Sequence, residues 1–312
     1  MNSINKMSNK YKLKSQISEN QVEADVANYL GFITPLLSNR YRLISVDEQQ
    51  TGADKLFDRF SPIYMQFKVS QGLNPKNNIW THFQNKPLTK IINYRKQNGL
   101  TGDPILYFEL REKAKNAKEF QHNLLRKLHR PPKQFAMYVA PLTLDLAEYE
   151  RAFNPKWFYR FFYWNFPPQK MVVIDDTIQQ QKIQLGMNPF LRCHISIPPH
   201  VNVDTHEHHY SFSKSGGDVA WHGGQTLNDD FRLSSQFARI LEHFYANPDY
   251  GFSLRQYSAF IRELTFIDPG IFEDLSAKEQ YDSNRAFSDI YAFARFLKVE
   301  YNIRLLFLTE HS

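Results

Sequence analysis

The stretch TGADKLFDRFSPIYMQFKVS, residues 51–70, decides how this chain is read. Its second half, PIYMQFKVS, alternates with period two. Ile63, Met65, Phe67 and Val69 fall on one face of a strand; Tyr64, Gln66, Lys68 and Ser70 fall on the other. The first is an apolar core face. The second places an amide and an ammonium two residues apart on one side of a sheet. Such a face is either a solvated strand surface or half of a metal-dependent active site.

Working outward, residues 18–38 carry Val22, Val26, Tyr29, Leu30 and Ile33 at helical spacing, with Ser18 as N-cap and Gln21 completing a capping box. YRLISV (41–46) reads as a strand, GADKLFD leads into a second and PIYMQFKVS is the third. Residues 71–103 hold Asn-Pro, Lys-Pro and Asn-Gly punctuation, which predicts loop with one short helix at 87–97. A strand at 104–112, a helix over NAKEFQHNLLRKLHR ending at Pro131-Pro132, and an apolar strand QFAMYVAP follow. PLTLDLAEYERAF reads as a helix, and KWFYRFFYWNF (156–166) as a packed aromatic segment or an interaction surface. MVVIDD is a strand, and HHYSFSKSGGDVAWHGG a hairpin turning at Ser215-Gly216-Gly217. From 229 onward the pattern is helical until a last strand, IRLLFLTE. Helices flanking a mixed sheet define an α/β class.

The chain has 312 residues, 42% of them hydrophobic, enough for a sizeable core in one large or two modest domains. The expected division is a flexible basic arm at 1–15, an α/β domain with a β-rich extension at 16–224, and a mainly helical C-terminal region at 225–312. A net charge of +6 permits a polyanionic partner. Aromatic residues make up 15%, some for the core and some available to stack on bases. One cysteine, Cys193, excludes an intrachain disulfide and points to a reducing, cytoplasmic setting. MNSINKMSNKYKLK has lysines but no following apolar run, so no signal peptide is expected there. No membrane partner is expected, because no stretch approaches the ~18 apolar residues of a span.

The order of motifs resembles the PD-(D/E)xK nuclease superfamily. A helix with Glu19 and Glu23 comes first, then Gly52-Ala53-Asp54, then Gln66-Phe67-Lys68 on the following strand. The Mrr-like branch, which carries Gln in place of the acid, is the most similar. The likeness covers roughly residues 18–140. It implies a restriction-endonuclease-like mixed sheet and a Mg²⁺-dependent deoxyribonuclease, with Mn²⁺ as a substitute metal. It also implies a role in restriction or anti-phage defence. In this reading Asp54, the Gln66 carbonyl oxygen and the Phe67 backbone carbonyl hold the metal. Lys68 orients the attacking water or stabilises developing charge, and Glu23 completes the outer shell. Asp58 competes with Asp54. Gln66 brings no charge, so a displaced acid, Glu48 or Glu109, would compensate. Gln121 and His122 would help place a phosphate, and Lys127 and Arg130 in KLHRPPK would clamp the backbone of DNA.

Cys193, His194, His200, His206, His208, His209 and His222 crowd one region, but without CxxC, HExxH or repeated ligand spacing. A histidine-rich hairpin edge near the substrate is expected there rather than zinc. The Gly216-Gly217 and Gly223-Gly224 pairs are turn glycines, and no phosphate loop occurs. An energy-dependent function would therefore need a separate NTPase subunit or other partner protein, and double-strand cutting would suit a homodimer. The competing reading is a catalytically inactive nuclease-like module that binds nucleic acid or protein. A third is an interaction protein whose helical C-terminal part docks a neighbour.

Overall fold

The computed structural model describes residues 12–37, 41–45, 59–74, 86–100, 102, 104–113, 117–153, 189–222, 224–227, 229–247, 249–264, 267, 269–272 and 283–310. The expected second strand at GADKLFD, the aromatic segment 156–166 and MVVIDD lie outside these described residues, as do Glu48, Asp54 and Asp58.

The alternating stretch becomes β3 (Phe60–Phe67) in a five-stranded sheet. The strand order is β2 (Tyr41–Ser45), β11 (Arg304–Glu310), β3, β6 (Phe135–Pro141) and β7 (His194–Ile197). β3 and β6 run parallel, joined by a long crossover that contains α3 (Gln121–Leu128); every other pair is antiparallel. A second sheet has six antiparallel strands: β1 (Lys12–Leu13), β4 (Gln71–Leu73), β5 (Ile105–Glu109), β8 (His209–Phe212), β9 (Val219–Trp221) and β10 (Gln225–Leu227). The remaining helices are α1 (Glu19–Leu37), α2 (Lys86–Gln97), α4 (Leu146–Phe153), α5 (Pro189–Arg192), α6 (Leu233–Ala246), α7 (Leu254–Arg262) and α8 (Ser283–Tyr301).

All eight residues of β3 are buried, so neither face is solvated. Ile63, Met65 and Phe67 pack with Val22, Val26 and Leu30 of α1 and with Phe237, Ile240 and Leu241 of α6. Phe60 and Tyr64 point the other way, into a core shared with Leu106, Phe108, Tyr210 and Phe212 of the second sheet and with α3, α7 and α8. The period of two is right, but both faces meet apolar layers. Each large side chain so buried stabilises by about 1.5–3 kcal/mol. α2 covers the outer face of the second sheet with Leu88 and Ile91 against Leu73, Ile105 and Tyr107.

Strand pairing crosses the expected divisions. The mainly helical C-terminal region ends in the expected last strand, β11, which inserts between β2 and β3 and pairs antiparallel with both. The 224/225 division cuts through the β9–β10 pair. Nor does the N-terminal arm extend to 15, because Lys12 and Leu13 pair with Leu73 and Gly72. Two helix starts, those of α1 and α7, follow local signals. The Ser18 hydroxyl accepts the Gln21 N–H at 3.2 Å, and Ser253 with Gln256 closes a full capping box on α7.

Two histidines of the histidine-rich region, His194 and His209, are buried, as is His122 of α3. His194 is fully buried and its Nδ1 faces the Phe190 carbonyl at 2.8 Å. His122 donates from Nε2 to the Val201 carbonyl (2.6 Å), which leaves Nδ1 to accept from the Tyr138 hydroxyl at 2.9 Å. Burial lowers both imidazoles from 6.5 to about 4. An unfolded chain takes up protons at these residues near pH 6.5, whereas the folded chain refuses them until about pH 4. Stability is therefore fully present above about pH 6.5 and falls as pH drops towards 4, by about 1.4 kcal/mol per pH unit for each histidine. Urea denaturation at pH 7, 6 and 5 checks this; a midpoint that does not move would contradict the neutral, buried placement.

Candidate active site

The site forms where the chain changes sheets. β3 ends at Phe67 and β4 begins at Gln71, so residues 68–70 carry the chain from the five-stranded to the six-stranded sheet. The Lys68 N–H extends the β3–β6 ladder by one bond to the Val139 carbonyl at 2.8 Å, and the Ser70 hydroxyl donates to the Pro141 carbonyl at 2.5 Å. Gly72 then lets β1 approach: a Cβ there would meet Leu144 Cδ1 at 2.5 Å and Leu13 Cβ at 3.0 Å. That close approach brings Lys12 to the same opening.

Two adjoining open pockets, of about 560 and 410 Å³, share Glu19, Lys68 and Glu109. Lys12, Lys14 and Ile17 line the first; Arg111, Lys298 and Asn302 line the second. Lys68 is only 7% exposed and makes no ion pair among the described residues. Desolvation lowers its ammonium from the usual lysine value, while Glu19 opposes that shift and Arg111 adds to it. Glu109 is held below the ordinary carboxylate range, first by its bond to His209 and against the opposing effect of burial.

The two glutamates of α1 have different neighbours. Glu23 is buried and engaged: both carboxylate oxygens lie 2.5 Å from Lys298 Nζ, and Arg304 lies 3.5 Å away. Glu19, one turn earlier, lines the pockets and accepts from Asn302 Nδ2 at 2.8 Å. Asn302 sits just past α8 with φ of 50°, the left-handed conformation that ends many helices and that asparagine tolerates. Its Oδ1 also accepts from Lys298 at 2.9 Å. The end of α8 therefore sorts the two acids, one into an ion pair and one towards the opening. The structure places Glu19 rather than the expected Glu23 beside Lys68.

Gln66 is fully buried on the strand face that carries Lys68, it lines neither pocket, and both its amide atoms lack a hydrogen-bond partner among the described residues. The Phe67 ring belongs to the core on the α1 side. The α3 residues lie elsewhere. Gln121 donates to the Tyr301 carbonyl at the end of α8, and His122 and Asn123 bond the segment around Val201 and Val203. Lys127 pairs with Glu119 at 2.6 Å; Arg130 donates to the Lys127 carbonyl and lies over the Phe260 ring. None of Gln121, His122, Lys127 and Arg130 lines either pocket. The physical reason is that the polar start of α3 is turned inward, where buried donors must find partners.

Among the described residues no group of three or more His, Cys, Asp or Glu is arranged to hold a metal ion. Glu19 and Glu109 are hard oxygen donors suited to Mg²⁺, and Asp54 lies outside the described residues. Lys12, Lys14, Arg111 and Asn302 at the site were not singled out from the sequence. Only Asn302 carried a local signal, an asparagine just after a helical run.

No model of a known protein family, no curated protein and no solved structure matches this chain. Among the described residues, no helix is long and apolar enough to cross a membrane.

Proposed function

We propose that the protein is a Mg²⁺-dependent endonuclease acting on DNA. One observation carries the reading. A lysine more than nine-tenths buried, with no ion-pair partner among the described residues, borders an open pocket beside two carboxylates. Lysine is costly to bury unpaired, so a position like this favours a role for its charge. Glu19 and Asp54 would hold the metal, which when bound activates water and neutralises phosphate charge. Lys68 would orient the attacking water and stabilise charge building on the scissile phosphate. Asn302 keeps Glu19 aimed at the opening. Lys12 and Lys14 on one side and Arg111 on the other would take the flanking phosphates.

The test is plasmid cleavage with Mg²⁺ and with Mn²⁺, by the wild type and by Asp54→Ala. Loss of cutting in the variant is expected; equal activity would count against the reading. Lys12→Ala with Lys14→Ala should weaken DNA binding uniformly across sequences. It should also reduce the slope of log affinity against log salt by about 0.9 for each phosphate no longer neutralised, about 1.8 for the pair. Fluorescence titration at several salt concentrations measures that slope, and an unchanged slope would remove these lysines from the interface. A second reading is favoured by the uncharged Gln66: the protein binds nucleic acid without cutting it. It predicts salt-sensitive binding that survives Asp54→Ala and no cleavage under any metal.

A further inference from the structure

The charged groups around the larger pocket are sorted by partner. Glu19 and Glu109, the two acids that line it, are both engaged: Glu19 accepts from Asn302 Nδ2 at 2.8 Å, and Glu109 Oε1 lies 3.4 Å from His209 Nε2. Lys12, Lys14 and Lys68 line the same pocket and make no ion pair among the described residues. Lys12 and Lys14 are exposed and stand two residues apart on the segment that β4 holds in place, Lys12 opposite Leu73. Lys68 follows the end of β3 and is more than nine-tenths buried. The Gln66 amide two residues earlier is sealed from water; the Lys68 ammonium nitrogen is not.

α1 begins at the same pocket. Ser15, Ile17 and Glu19 line it, on either side of the Ser18 cap. The Ser18 hydroxyl takes the Gln21 N–H, and the N–H groups of Glu19 and Asn20 have no acceptor among the described residues. Unsatisfied amides at the positive end of a 19-residue helix favour an anion. The buried lysine points to the same ligand independently. An ammonium taken out of water without a counter-charge is costly, and a bound anion supplies that charge.

Three lysines match a phosphate dianion better than a diester. A phosphodiester carries one negative charge, whereas a terminal or free phosphate carries about 1.5–2 at pH 7. The pocket, about 560 Å³, has the size of a small-ligand site. We propose that it holds a phosphate dianion, terminal on a strand or free, between Lys12, Lys14, Lys68 and the start of α1, with no metal ion. Only the strand-end source rests on the DNA reading above.

The experiment uses the purified full chain in EDTA at fixed ionic strength. Fluorescence anisotropy compares one oligonucleotide carrying a phosphate at either end with the same oligonucleotide carrying hydroxyl ends only, and calorimetry measures inorganic phosphate. A phosphorylated end should bind about tenfold or more tightly than hydroxyl ends, and inorganic phosphate should compete that advantage away. Lys12→Ala with Lys14→Ala, and separately Lys68→Met, should each remove most of it. Thermal melts check the fold, and the exposed lysine pair keeps the test decisive if Lys68→Met misfolds. If inorganic phosphate binds in a lysine-dependent way while both kinds of end bind alike, the site takes free phosphate. If no phosphorylated end is preferred and inorganic phosphate does not bind, the inference is overturned. Asp54-dependent plasmid cleavage would then leave the nuclease reading standing. A lysine-dependent phosphate site in a protein that cuts nothing would remove the nuclease reading alone.

Discussion

Lys68→Met should leave the chain folded and at least as stable as the wild type and, if the protein is the nuclease proposed above, should reduce metal-dependent DNA cleavage by about 10²–10⁴-fold. Both halves follow from the same position. Lys68 is nearly buried and desolvation already disfavours its charge, with no ion pair among the described residues to offset the cost. Methionine has similar length and no charge, so it fills the same buried position without that cost. The chemistry has no such substitute, because a neutral thioether cannot hold water or stabilise a phosphorane-like charge. Thermal melts and plasmid assays on one preparation decide the matter. A Lys68→Met protein that cuts normally would reduce Lys68 to a buried strand-end residue.

The second large effect separates the two acids of α1. Glu23→Gln should cost about 3 kcal/mol of stability, because it leaves Lys298 and Arg304 facing a neutral amide in a nearly buried setting. The lower end of the range for a broken buried pair applies, since Lys298 keeps partial access to water. Glu19→Gln should cost less than about 1 kcal/mol, as expected for a partly exposed carboxylate, yet reduce cleavage about a hundredfold. Urea denaturation gives the first number and plasmid cleavage the second. The reverse pattern, a stable but inactive Glu23→Gln beside an active Glu19→Gln, would show that the acids have been assigned the wrong way round.

That pair of acids illustrates what a sequence can and cannot carry. Glu19 and Glu23 are four apart, so local geometry places them on one helical face. Which of them faces a pocket depends on α8, more than 250 positions away in the chain, where Lys298 takes Glu23 and Asn302 takes Glu19. No local pattern reports such a contact. α3 shows the same limit. Its helical pattern was legible, but Gln121 and His122 read as site residues because their bonding partners, Tyr301 and Val201, lie far along the chain. His209 stood in a cluster read as a hairpin edge, and its role beside Glu109 appears only through the β5–β8 register.

The features readable from the chain are local ones: the period-two strand leading to Lys68, the helices around it with the Ser18 cap of α1, and the mixed α/β class. These follow from side-chain periodicity and backbone chemistry within a few residues. The rest arises on folding. Packing set β11 between β2 and β3, a position that the strand pattern of IRLLFLTE by itself does not report. It buried both faces of β3, because an apolar layer waits on each side. It also brought Glu109 from the second sheet to the end of the first, at the crossing where Lys68 lies. Strand order and layer packing are set by the total apolar surface removed from water and by which backbone edges remain to be paired. Those quantities belong to the whole chain, and no single segment contains them.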